Sequence, residues 1–212
     1  MAMTYATLTA AKTAAGSIKR WMNYSELDVD QILEEAQALI FQTLRVREMR
    51  TEFSDLTLSV GESYEALPTG FLDPIALKDK TNNVDLELVT EDEMIRQRVY
   101  ESDGTLATSS AAYKYAIFQE RLQFEIEYDT VATLTLIGYK APTFVSDSNS
   151  TNFLCTRYPH LLRVACMAQA ADFMNNVERE QRYLTKLAAM IQQTNIESDM
   201  SYRGVTLNIG IR

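Results

Sequence analysis

Residues 28–60 read DVDQILEEAQALIFQTLRVREMRTEFSDLTLSV, and the hydrophobic period changes once within them. Val29, Ile32, Leu33, Ala36, Leu39, Ile40 and Leu44 recur every three or four residues, which is the apolar stripe of a helix. The spacing predicts one helix over 28–50. Asp28 can cap it, Asp30, Glu34 and Glu35 sit near the positive end of its dipole, and Arg45, Arg47 and Arg50 near the negative end. From Thr51 the period is two: Leu56, Leu58 and Val60 alternate with Thr57 and Ser59 before Gly61, as in a half-buried strand.

Upstream, Leu8, Ala11, Ala15, Ile18 and Met22 place a second helical stripe over 4–22, with Thr4 as its cap and Gly16 as its weak point. Downstream, strands are predicted at 63–67, 75–78, 85–89, 113–118, 122–128 and 133–140. Leu122, Phe124, Ile126 and Tyr128 share one face of the fifth of these. Leu134, Leu136 and Gly138 share one face of the last. A short helix interrupts the set at 90–99, with Thr90 as cap and Glu93 in the capping-box position. Residues 102–112, with Gly104 and a Thr-Ser-Ser run, read as a mobile loop.

After a polar linker at 146–151 the helical period returns. Pro159 suits a first helical turn. Leu161, Leu162, Ala165, Ala168 and Ala171 give that helix a small-residue face, and a helix over about 176–198 carries Leu184, Leu187, Ile191 and Thr194 as a packing seam. Val205, Leu207, Ile209 and Ile211 then alternate with polar residues. Such a strand either joins the chain's own sheet or pairs with another subunit. The fold class expected is α+β: N- and C-terminal helices forming a helical bundle, an inserted antiparallel β-rich region, and an extended C-terminal tail. The divisions expected are 1–50, 51–145, 146–200 and 201–212.

The chain has 212 residues, 46% hydrophobic and 23% charged, which is globular composition and long enough for a sizeable core. No run approaches the roughly 18 apolar residues of a membrane span. The start lacks a basic region followed by an apolar stretch, so no secretory signal is expected. Two cysteines are too few for a disulfide framework, and a reduced compartment is the simple expectation. The net charge of −9 argues against a tight grip on DNA. Residues 51–150 hold seven basic and eighteen acidic residues, so the acidity belongs to the middle. Either that middle is a solvated face that keeps the protein soluble, or it must sit near DNA without adhering.

The residues offer no reaction centre. His160 is the single histidine, and no Gly-x-Ser-x-Gly accompanies it. Cys155, His160 and Cys166 do not match the spacing or ligand number of a structural zinc site. The seven glycines, at 16, 61, 70, 104, 138, 204 and 210, form no phosphate-cradling loop. A carboxylate pair among the acids of 85–129, as in a glycan hydrolase, can be neither nominated nor dismissed from sequence. No enzyme activity and no cofactor are expected.

The order of elements resembles the head-to-tail adaptor (connector) proteins of tailed bacteriophages, in particular the longer forms of short-tailed phages. The resembling stretches are 32–50 with its Leu44-Arg45-Val46-Arg47-Glu48-Met49 end, Ala66-Leu67-Pro68-Thr69-Gly70-Phe71-Leu72, 134–142 ending in Gly138-Tyr139-Lys140-Ala141-Pro142, and the helix opening at Tyr158-Pro159. The resemblance implies a virion structural protein, assembled in the host cytoplasm, that forms a ring of commonly twelve copies below the portal at the head–tail junction. Its implied partners are its own copies, the portal protein, a tail nozzle or tail-tube protein, fibres in some phages, and DNA in passing, with no membrane. Carried onto this chain, Gly204, Val205, Leu207, Ile209, Ile211 and Arg212 would be the portal-binding arm. Ala165, Ala168, Ala171, Leu184, Leu187 and Ile191 are the expected inter-subunit packing residues. Two other functions remain open: a head-closure or tail-completion protein gating the channel with loop 102–112, and the glycan hydrolase.

Overall fold

The computed structural model describes residues 3–202. The expected arm residues Gly204, Val205, Leu207, Ile209, Ile211 and Arg212 lie outside the described residues. The described residues divide into two compact units, one built from 3–49 with 142–202 and one from 50–141. The class is mixed α+β.

In the first unit the N-terminal stripe is two short helices rather than one. Thr4 caps α1 (Tyr5–Thr9) and Ser17 caps α2 (Ile18–Met22), with Gly16 at φ +91° between them. Helix α3 (Val29–Thr43) is capped by Asp28, whose side chain accepts the Gln31 N–H. It buries Val29, Ile32, Leu33, Ala36 and Ile40, as its period demands. The helix stops seven residues before the expected end. Leu44 turns extended, and only a single 3-10 turn at Arg47–Met49 follows. Leu44, Val46 and Met49 are all buried, and an alternation at 44 and 46 suits extended chain better than helix.

The return segment is held to α3 by Gln37, a fully buried amide in the middle of the apolar stripe. Its Nε2 donates to the Leu33 and Val145 carbonyls, and its Oε1 accepts the Val145 N–H at 2.6 Å and the Asn152 amide at 3.1 Å. Asn152 caps α5 (Phe153–Arg157), and α6 (Pro159–Phe173) follows with Pro159 in its first turn. Helix α6 is the common partner on which α2, α3, α5 and α7 (Val177–Tyr202) pack. It buries Leu161, Leu162, Val164, Cys166 and Ala170 as well as the three expected alanines, so it is covered nearly all round.

The second unit is a seven-stranded sheet in the order β1-β9-β3-β4-β6-β7-β2, built from β1 (Arg50–Leu58), β9 (Ala132–Lys140), β3 (Phe71–Asp79), β4 (Val84–Leu88), β6 (Lys114–Phe118), β7 (Arg121–Phe124) and β2 (Tyr64–Ala66). The sheet curls until its end strands β1 and β2 touch. Its inner face holds Leu58, Leu77, Leu86, Tyr115, Leu122, Phe124, Tyr128, Leu134 and Leu136. The alternation read at 122–128 and 134–138 is therefore the barrel-like core. Phe53 joins it because a bulge between Phe53 and Leu56 shifts the phase of β1, so residues three apart face the same way.

The pairing is antiparallel-rich rather than wholly antiparallel. Strands β4 and β6 run parallel because α4 (Glu91–Gln97) crosses between them, laying Met94 over Val89 and Ala116. Thr90 accepts the Glu93 N–H, while the Glu93 carboxylate takes the Gln97 amide instead of closing a capping box. Segment 102–112 is hydrogen-bonded structure rather than open loop. Ala107 N–H donates to Val99 O and Glu101 N–H to Thr105 O. Strand β5 (Thr108–Ser109) then runs parallel to β8 (Glu127–Tyr128). Buried Asp79 anchors the far end of the segment: it takes the backbone and side-chain N–H groups of Asn82, whose amide also reaches the Ser110 carbonyl at 2.6 Å.

Strand β3 carries Pro74 because β4 pairs only with Leu77–Asp79, leaving Pro74 one neighbour. That neighbour is Gly138, where an added Cβ would lie 2.7 Å from the Asp73 carbonyl oxygen and 2.7 Å from the Phe71 ring. Gly138→Ala is expected to destabilise the chain by about 1–3 kcal/mol in denaturant melts. Gln37→Leu is expected to destabilise as well, by about 1–3 kcal/mol for each Val145 backbone group it strands, although it adds apolar volume. Burial pushes the phenols of Tyr115 and Tyr128 up to about 12, with Asp79 adding to the effect at Tyr128. Raised folded-state values mean that this contribution is complete below the unfolded tyrosine value near 10 and is lost as pH climbs toward 12. The share of tyrosinate absorbance that belongs to these two phenols should therefore appear together with unfolding of the β unit in that window.

Candidate functional site

The expected packing residues lie on α6 and α7, which pack on each other. Ala165, Ala168 and Ala171 are buried on α6, Leu187 and Ile191 are buried on α7, and Leu184 is half-buried beside them. Alanines at three-residue spacing let another helix axis approach closely, and α7 is one of the helices packed on α6. The reversal between the helices uses Asn175 at φ +54°, and Asn176 accepts the Arg179 N–H to start α7. The face that α7 leaves for another molecule is the opposite one, bearing Arg182, Lys186, Ala189 and Gln193.

The 26 residues of α7 span about 39 Å, against about 22 Å for the 15 of α6. The excess of α7 packs on the chain leaving α3. Asn195 receives the Arg45 N–H at 2.8 Å and donates to the Thr43 carbonyl at 2.9 Å, so one side chain serves two backbone groups of an extended segment. Ser198, one turn on, receives the Arg47 N–H at 3.0 Å. The Arg45 guanidinium meanwhile satisfies the Phe41 and Leu44 carbonyls at the end of α3. Reading the sequence for apolar spacing passes over Asn195 and Ser198; the available signal is that each follows a seam position by one to four residues.

A small polar cleft of about 180 Å³ lies here, lined by Arg47, Glu48, Arg157, Tyr158, Glu197 and Ser198 among others. Glu48 pairs with Arg157 and accepts from the Tyr158 hydroxyl at 3.4 Å. Burial, with Glu48 second, holds the Tyr158 phenol above its ordinary value. Glu48, bound by a guanidinium, thus clamps the 3-10 turn to the chain around Arg157 and Tyr158, while the cleft's other carboxylate, Glu197, accepts the Gln193 amide.

The other candidate chemistry is dispersed. His160 is exposed in the first turn of α6. Cys155 and Cys166 are buried free thiols, and burial raises both, which suppresses the thiolate. Among the described residues no group of three or more His, Cys, Asp or Glu side chains could hold a metal ion. No helix among them is long and apolar enough to cross a membrane.

A broader groove of about 420 Å³ runs beside the first turns of α3, with Leu33, Phe144 and Val145 as its apolar floor and Asp30, Glu34 and Asp147 on its rim. Tyr5 crosses it to donate to Asp30 at 2.8 Å, a bond that raises the Tyr5 phenol. Arg157→Ala should lower the melting temperature by leaving partly buried Glu48 without its cation, and Glu48→Gln with Arg157→Ala should recover part of that loss.

None of the curated proteins matches the chain. The family model for the SU10 adaptor protein matches residues 3–208, nearly the whole sequence. The chain thus belongs to the SU10 adaptor protein family, in keeping with the phage head-to-tail adaptors that its sequence resembles.

Proposed function

We propose that the protein is a non-enzymatic head-to-tail adaptor that forms a ring, twelve copies in our reading, mounted on the phage portal. The observation that carries this is the family match over residues 3–208. The distribution of charge supports it. Residues 50–141 hold eight Lys/Arg and seventeen Asp/Glu, whereas 1–49 and 142–212 together hold twelve of each. The whole net charge belongs to the β unit. A wall of that sign repels phosphate and lets a duplex slide, so we assign the β unit to the DNA conduit and to docking of the nozzle or tail tube, and of fibres where a phage has them.

In this reading α1–α3 and α5–α7 form the helical bundle of the ring. The α6–α7 pair, locked by Ala165, Ala168, Ala171, Leu184, Leu187 and Ile191, is the rigid element we place at the subunit boundary. Gly204, Val205, Leu207, Ile209, Ile211 and Arg212 are the portal-binding arm, by the alternation of their sequence. Assembly would take place in the host cytoplasm and the finished protein would reside at the head–tail junction of the virion.

Electron microscopy of the purified chain mixed with its portal tests this: a stacked ring is expected, and persistent monomers without portal association overturn it. Removing 204–212 should leave the melting temperature unchanged and weaken portal binding. A large fall in melting temperature would instead give that strand to the chain's own sheet.

A further inference from the structure

Charge is sorted between two exposed helix faces of the helical unit. Helix α3 carries Asp30, Glu34 and Glu35 and no cation, and all three are exposed. Helix α7 carries Glu178 and Glu180 in its first turn and Glu197 and Asp199 toward its end, but over the middle stretch from Gln181 to Ile196 its charges are Arg182 and Lys186, both exposed. Among the described residues no ion pair joins Arg182 or Lys186 to an acid, or any of the three α3 carboxylates to a base. Both helices pack on α6 through their apolar stripes, which leaves these faces turned away from it.

We propose that the α3 face of one copy docks on the α7 face of the next, resting on the ring reading above. The two faces are different patches, so the contact is heterologous, the kind that closes into a ring by repeated rotation. Their shapes suit it. Ala189 lies between Arg182, Lys186 and Gln193 on α7, giving a low surface, and α3 answers with exposed Gln31, Ala38 and Gln42 beside its acids. The groove next to Asp30 and Glu34 offers a long cationic side chain an apolar floor with carboxylates at its edge. Complementary charge would fix the order of neighbours, because acidic faces repel each other and so do basic ones.

Three variants of the full chain test it by native mass spectrometry and sedimentation, alone and with portal. Glu34→Lys with Glu35→Lys reverses α3; Arg182→Glu with Lys186→Glu reverses α7; the third variant carries all four changes. All four positions are exposed, and melting temperatures check that each variant folds. Each double variant by itself should lose ring formation, with association at least about tenfold weaker. An equimolar mixture of the two should form rings of alternating copies, and the quadruple variant should form rings alone. Wild-type rings should loosen as salt rises. Rings that form equally well from either double variant overturn the α3–α7 contact and leave the ring reading standing. A wild-type chain that forms no ring, even with portal, overturns both.

Discussion

Arg50 and Tyr139 face each other across β1 and β9, where the chain enters and leaves the β unit. The Arg50 guanidinium lies 5.7 Å from the centre of the Tyr139 ring and adds a cation–π contact to the strand pairing. This pairing is the constraint on which the rest depends. An insertion between two halves of a helical unit is tolerated only if its ends meet, since otherwise it would force those halves apart. With β1 and β9 adjacent in the sheet, residues 50–141 close on themselves around their own core. Gln37 does the corresponding work for the helical unit, fastening the returning chain at Val145 and Asn152 onto α3.

The joint explains why a change of period at residue 51 is so informative. A helix with an apolar stripe and a strand with alternating faces bury different residues, and the chain cannot satisfy both at one position. The strand positions 56, 58, 122, 124, 134 and 136 were legible because each points inward at period two without interruption. Helix α3 was legible up to Thr43 for the same reason at period 3.6. Its end was not, because Leu44, Val46 and Met49 can be placed on a helical face or along an extended chain, and only the backbone bonds from Asn195 and Ser198 decide between them.

Other misses have the same origin in long-range contacts. The bulge at 53–56 brings Phe53 into the core against the local alternation. The parallel pairing of β4 with β6 follows from a crossover helix whose existence was clear but whose landing place was not. Segment 102–112 has a turn-rich composition, yet Asp79 and Asn82, from the β3–β4 turn, give its backbone a partner. As for the surfaces, the small-residue face of α6 was readable as a contact and its partner was not. The same alanines serve equally well against a neighbouring molecule or against another helix of the chain.

The bonds from α7 to residues 43–47 also set an order of events during synthesis. They join positions about 150 residues apart, so the helical unit cannot close until nearly the whole polypeptide has left the ribosome. The β unit has all of its strands in hand once residue 141 has emerged. It can therefore be finished while residues 1–49 still wait for the other half of their core. A nascent chain in this state exposes the apolar stripe of α3 until α6, the helix that covers it, has been made.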